Sequence, residues 1–114
     1  MHDEQLAEHG GATGIRDEGL LESALARPLN RAGYGDPDAA ELGALYAVAI
    51  ARNHPFVDGN KRTAFASLVL FLALNGIAFE PPEVEATVAM LALAAGEKSE
   101  EEFTDWVRTH ARLP

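Results

Sequence analysis

Apolar positions along the chain recur in blocks at helical spacing. Leu20, Leu21, Ala24 and Leu25 share one face of a helix that Asp17 can cap and that runs to about Ala26. Pro28 is expected to stop it. Arg16 and Asp17 read first as a cap and its partner. Arg27 to Asp36, with Pro28, Asn30, Gly33 and Gly35, reads as a surface loop. Its Tyr34 either meets a partner or packs back on the core. Asp38, with Glu41 three residues on, caps the next helix, where Leu42, Leu45, Tyr46, Ala49 and Ile50 form an amphipathic stripe to about Arg52. Pro55 ends that helix by His54.

A helix from about Asn60 to Leu74 follows. It is apolar on every side, which predicts a place in the middle of a bundle. Asn75-Gly76 closes it. Ile77 to Glu80 is extended. A helix after Pro81-Pro82 carries Val84, Val88, Leu91 and Leu93 and stops at Gly96. Ser99 and Glu102 form a capping box for a last helix with Phe103, Trp106 and Val107 inside. Before all of these, Asp3 to Glu8 reads as the end of a helix closed by Gly10-Gly11. Helices joined by short turns give an all-α fold. At 114 residues, without repeats or linkers, the chain 1–114 reads as a single domain.

Composition narrows the function. The net charge of −9 disfavours direct nucleic-acid binding. There is no cysteine, which excludes disulfides and thiolate metal sites and fits a reducing cytoplasm. Met1-His2-Asp3-Glu4 is no secretory signal. The longest strongly apolar run, Ala64 to Leu74, falls short of the ~20 residues a membrane span needs.

The densest chemistry lies in His54-Pro55-Phe56-Val57-Asp58-Gly59-Asn60-Lys61-Arg62. The loop feeds directly into a helix start, where backbone N–H groups and the helix dipole favour an anion. Gly59 allows close approach of a phosphate. Lys61 and Arg62 are unfavourable to the dipole unless an anion offsets them. Asp58 can hold Mg²⁺ beside phosphate oxygens. His54 can take a proton from an attacking hydroxyl. Together these parts describe transfer of a phosphate-containing group from a nucleotide to an alcohol. The stretch is not a Walker A loop, because the upstream glycine spacing and a Ser/Thr directly after Lys61 are both missing. Each residue also has a structural reading: His54 as a helix C-cap, Asp58 as a turn residue, Asn60 as an N-cap.

His54 to Arg62 resembles the signature of the Fic family, HxFx(D/E)GN(G/K)R, and Lys61 makes it similar to the death-on-curing, or Doc, branch. Gly10-Gly11, Gly14-Ile15-Arg16-Asp17, Leu20-Leu21-Glu22-Ser23-Ala24 and Phe71 to Gly76 share that likeness. The resemblance implies a compact Fic (Fido) fold of about six helices around a central buried helix. It also implies a toxin of a toxin–antitoxin pair, with a separate, Phd-like antitoxin chain as partner. By the same resemblance His54 is the general base, Asp58 binds Mg²⁺, Gly59, Asn60, Lys61 and Arg62 hold the phosphates of ATP, and Phe56 anchors the loop. Lys61 and Arg62 then act in catalysis beside His54. Doc-type toxins phosphorylate elongation factor Tu and arrest translation, whereas typical Fic enzymes transfer AMP.

Three departures bear on that choice. Typical Fic enzymes carry a second arginine where this chain has Phe65, which weakens the AMP-transfer reading. The chain shows no (S/T)xxxE(G/N) inhibitory segment, so a separate antitoxin is the expected brake. Relatives begin with a short strand and a fuller first helix, and this chain is expected to start inside that helix. AMP transfer to a protein hydroxyl and a catalytically silent antitoxin-binding module remain the alternatives.

Overall fold

The computed structural model describes residues 15–55 and 58–112. Five helices lie among them: α1 (Glu18–Ala32), α2 (Ala39–Asn53), α3 (Asn60–Leu74), α4 (Glu83–Ala94) and α5 (Glu100–His110). Two short strands, β1 (Ala78–Phe79) and β2 (Ala111–Arg112), pair antiparallel, with Ala78 opposite Arg112 and Phe79 opposite Ala111. The helix end expected at Asp3 to Glu8 lies outside the described residues. Among the described residues the fold is all-α apart from this two-residue ladder and an isolated β-bridge at Ile15, and β2 had no signal in the pattern.

Pro28 does not stop α1. The helix continues to Ala32 with the proline inside it. An internal proline forfeits one hydrogen bond to the preceding turn. Here its ring is fully buried instead, beside Ala24 on the only buried face of the helix. The loop therefore begins at Gly33 rather than Arg27. Tyr34 stands out of the core, 71% exposed, and its carbonyl accepts from Arg31.

The buried centre is α2, and α3 is not the innermost helix. Gly43, Ala44, Ala47, Val48, Ala49, Ile50 and Ala51 are all buried, and α2 packs against the four other helices. Of the expected stripe, Ala49 and Ile50 are buried, but Leu42, Leu45 and Tyr46 are only half-buried. Small side chains allow close approach on several sides at once, whereas large ones fill a single seam. Gly43 shows how tight this is, since a Cβ there would meet Leu68 Cδ1 at 3.0 Å and Leu72 Cδ2 at 3.4 Å. On α3 only Ala64, Leu68 and Leu72 are buried, while Leu70 is 60% and Leu74 76% exposed. On α4 the inner face is Ala86, Ala89, Met90 and Leu93, and Val84, Val88 and Leu91 point outward.

The caps match the sequence pattern. Asp17 accepts from the Leu20 N–H at 3.0 Å, and Asp38 from the Glu41 N–H at 2.9 Å. Ser99 and Glu102 form the reciprocal box, at 3.0 and 2.9 Å. Trp106 belongs to the core, edge-on to Phe79 with centroids 5.5 Å apart and 5.6 Å from Phe103.

Asp38 has a second task. Its carboxylate accepts from Arg108 of α5 at 3.1 and 3.2 Å. These bonds, chiefly, hold its pKa below the ordinary 3.8. The group is ionised more readily in the folded chain. Its stabilisation is therefore complete above the unfolded value and is lost as pH falls through the folded one. Asp38→Asn keeps the cap and removes the ion pair. We expect it to cost of order 0.5 kcal/mol at pH 6, as for an exposed pair, with the difference from the parent vanishing at a pH acid enough to protonate the carboxylate in the folded chain. Urea melts at the two pH values check this. An equal deficit at both would mean that the ion pair contributes nothing.

Candidate active site

The site grows out of the junction between α2 and α3. His54 is the C-cap of α2, in the left-handed conformation with φ 51° and ψ 54°. Among the described residues it is the one non-glycine position with positive φ. That region costs an L-residue roughly 1–2 kcal/mol. His54 thus fills the structural role of C-cap as well as the candidate chemical one. Its side chain is exposed.

The strained turn is gripped from residues far away in sequence. Arg16 Nε and Nη2 both donate to the His54 carbonyl, at 2.9 and 2.5 Å, and Nη2 also reaches the Asn53 carbonyl at 3.4 Å. The N–H groups of Arg16 and Asp17 donate to the Pro55 carbonyl at 2.7 and 3.2 Å. Asn53 Nδ2 donates back to the Leu20 carbonyl at 3.1 Å. The last carbonyls of a helix have no internal donor and carry partial negative charge. A guanidinium supplies both the donors and the opposite charge. Arg16 and Asp17 divide the work: the arginine caps α2 from outside, and the aspartate caps α1.

Asp58 follows, exposed, in a bend. Gly59 is the N-cap of α3, with φ 76°, and contributes no side-chain cap. Asn60 is thus the first helical residue and not the N-cap. The first intrahelical bond runs from the Thr63 N–H to the Gly59 carbonyl at 2.8 Å, so the N–H groups ahead of it have no acceptor within the helix. No acidic residue occupies the first turn, and Lys61 and Arg62 are exposed there. In a chain of net charge −9 this turn is locally positive at a helix end that is already positive. Phe56, the expected anchor, lies outside the described residues.

Lys61 and Arg62 also edge an open groove of about 540 Å³ between α3 and α4. Its walls are largely apolar: Phe65, Pro81, Ala86, Met90 and Leu91, with Glu83 and Thr87 as polar members. The sequence pattern placed Met90 and Ala86 nowhere near the motif. Nothing local marks them, because α4 reaches the site only through the return of the chain at β1. Phe65, standing where typical Fic enzymes have arginine, lies tilted against Phe79 with ring centroids 6.0 Å apart and is part of this wall.

Among the described residues no three His, Cys, Asp or Glu side chains cluster as a metal site. A lone carboxylate beside a candidate phosphate site still suits Mg²⁺, which takes one or two carboxylates together with substrate phosphates and keeps much of its water. Asp58 fits a metal that arrives with a nucleotide.

A helical fold with this loop between its two principal helices defines a class, and the chain belongs to the Fic/DOC family, whose profile matches residues 1–72. It is 40% identical over 111 residues to the "Protein kinase doc" of Escherichia phage P1, an overlap covering 95% of this chain and 86% of that protein. It is 45% identical over 71 residues to the "Toxin Doc" of Mycolicibacterium smegmatis (strain ATCC 700084 / mc(2)155), covering 60% of this chain and 54% of that one. Both likenesses are to the Doc branch. Among the described residues no helix is long and apolar enough to cross a membrane.

Proposed function

We propose that this chain is a Doc-type toxin with protein kinase activity, which transfers the γ-phosphate of ATP to a Ser or Thr hydroxyl of a translation factor. Elongation factor Tu is the expected target, and a separate Phd-like antitoxin chain the expected partner, both acting in the cytoplasm. The observation that carries the reading is the pair Lys61–Arg62 on the acid-free first turn of α3, one bend beyond an exposed imidazole. The likeness to a relative named a kinase supports the phosphate-transfer branch. Phe65 supports it too, because an aromatic cannot replace the phosphate contact of a second arginine.

His54 takes the proton of the target hydroxyl as its oxygen bonds to the γ-phosphorus. The bond to the β,γ-bridging oxygen breaks, and ADP leaves. Gly59 lets the phosphates approach the α3 N-terminus. Asn60, Lys61 and Arg62 hold them and balance the charge that spreads over the equatorial oxygens. Mg²⁺, held by Asp58, would neutralise further phosphate charge.

The test uses ATP labelled at the α or the γ phosphate, with Mg²⁺ and elongation factor Tu. Label should pass to the target from the γ position only. Transfer from the α position would replace this reading by AMP transfer. No transfer from either position, with toxicity in cells unchanged by His54→Ala, would leave a silent antitoxin-binding module.

A further inference from the structure

We propose that Arg16 is a positioning residue for the general base, holding the His54 backbone in the left-handed turn that aims its imidazole. The proposal rests on the phosphotransfer reading above. The observation is one of convergence. Three consecutive carbonyls, of Asn53, His54 and Pro55, are all met by donors from residues 16 and 17. The side-chain share falls to Arg16, whose fork closes on the one residue that is both strained and chemically active. A left-handed residue that is not glycine persists only where its surroundings over-determine it. Without the guanidinium, the His54 carbonyl loses both of its side-chain donors, and the turn is held only by the backbone bonds to the Pro55 carbonyl and from the His54 N–H to Ile50. Relaxation of φ from 51° swings the Cα–Cβ bond and takes the imidazole out of line with a hydroxyl bound at the phosphate. Misplacement of about 1 Å can cost on the order of 10²-fold in rate.

A purely structural cap would act differently, by lowering stability alone. Arg31 provides the comparison. It joins α1 to α2 through Glu41 at 2.7 Å and does not touch residues 53–55. Arg16→Met, Arg16→Lys and Arg31→Met are to be measured together for kcat, for the KM of ATP, and for the melting temperature. We expect Arg16→Met to lower kcat by about 10- to 100-fold. The KM of ATP should stay within about twofold, since phosphate binding belongs to α3. Arg16→Lys should recover part of the loss, because one ammonium keeps the charge without the fork. Arg31→Met should lose a similar amount of stability and keep kcat.

A second measurement does not depend on activity. In the ¹H–¹³C spectrum the His54 Cε1–Hε1 signal should move or broaden in Arg16→Lys, while that of His110 on α5 stays in place. If Arg16→Met does not fold, Arg16→Lys decides: parental kcat together with an unmoved His54 signal overturns the proposal. It is overturned equally if Arg16→Met is folded with parental kcat, or if Arg31→Met loses as much. A parent protein that transfers no phosphate, but whose His54 signal answers to Arg16, would overturn the kinase reading and leave the positioning role standing.

Discussion

His54→Ala should lower the rate of phosphate transfer by about 10²–10⁴-fold, the range of a positioned general base. The KM of ATP should change little, because the phosphates are assigned to the first turn of α3 and to Lys61 and Arg62. The remaining rate should still exceed that of solution, because positioning and charge stabilisation supply most of phosphoryl-transfer catalysis. Alanine also lacks the β-branching that would add strain in the left-handed region, so the fold at the α2 C-terminus should hold. Single-turnover assays with γ-labelled ATP separate the two quantities. A variant within about threefold of the parent would remove His54 from the chemistry and leave it only the role of C-cap.

The second large effect concerns stability. Phe103 is fully buried and is the largest such side chain among the described residues. It anchors α5 to the core beside Trp106, which meets Phe79 of β1, which in turn meets Phe65 of α3. Phe103→Ala should cost about 3–5 kcal/mol, through lost transfer energy and the cavity left behind. That is a large share of the 5–15 kcal/mol typical of a whole domain. Leu70→Ala, at a position of α3 that is 60% exposed, should change stability by no more than about 0.5 kcal/mol. Urea unfolding of the pair tests the burial assignments directly. Comparable losses would mean that the outer face of α3 is covered in solution.

That contrast also shows which parts of the fold could be read in advance. Asp17, Asp38 and Ser99 marked the helix starts because capping is local chemistry, readable over four residues. Helix types and most boundaries followed from the same short-range pattern. Burial did not, because it depends on how many neighbours surround a helix, and periodicity measures only one helix at a time. A uniformly apolar α3 therefore looked central, while the alanine-rich α2, whose small side chains admit neighbours on several sides, takes the centre. Pro28 misled for a related reason. The proline rule counts a lost hydrogen bond but cannot see the burial that offsets it.

The site divides in the same way. The run from His54 to Arg62 was visible because its residues are consecutive, and the structure places Asp58 in a bend and Lys61 and Arg62 on the first turn of α3. The grip of Arg16 on residues 53 and 54, 37 and 38 positions away, was not visible. An arginine next to a capping aspartate gives no sign of which distant carbonyl it will meet. The groove wall from α4 escaped for the same reason.

The left-handed turn at His54 also bears on how such a chain evolves. Glycine occupies that conformation at no steric cost and asparagine at little. Drift under selection for foldability alone would carry position 54 toward one of them, and each step would be favourable. A histidine there is a standing load of roughly 1–2 kcal/mol on the folded state, with a simple mutational escape open to it. Lineages released from the need for chemistry, such as copies whose partner or target has been lost, should therefore record that release first at this codon.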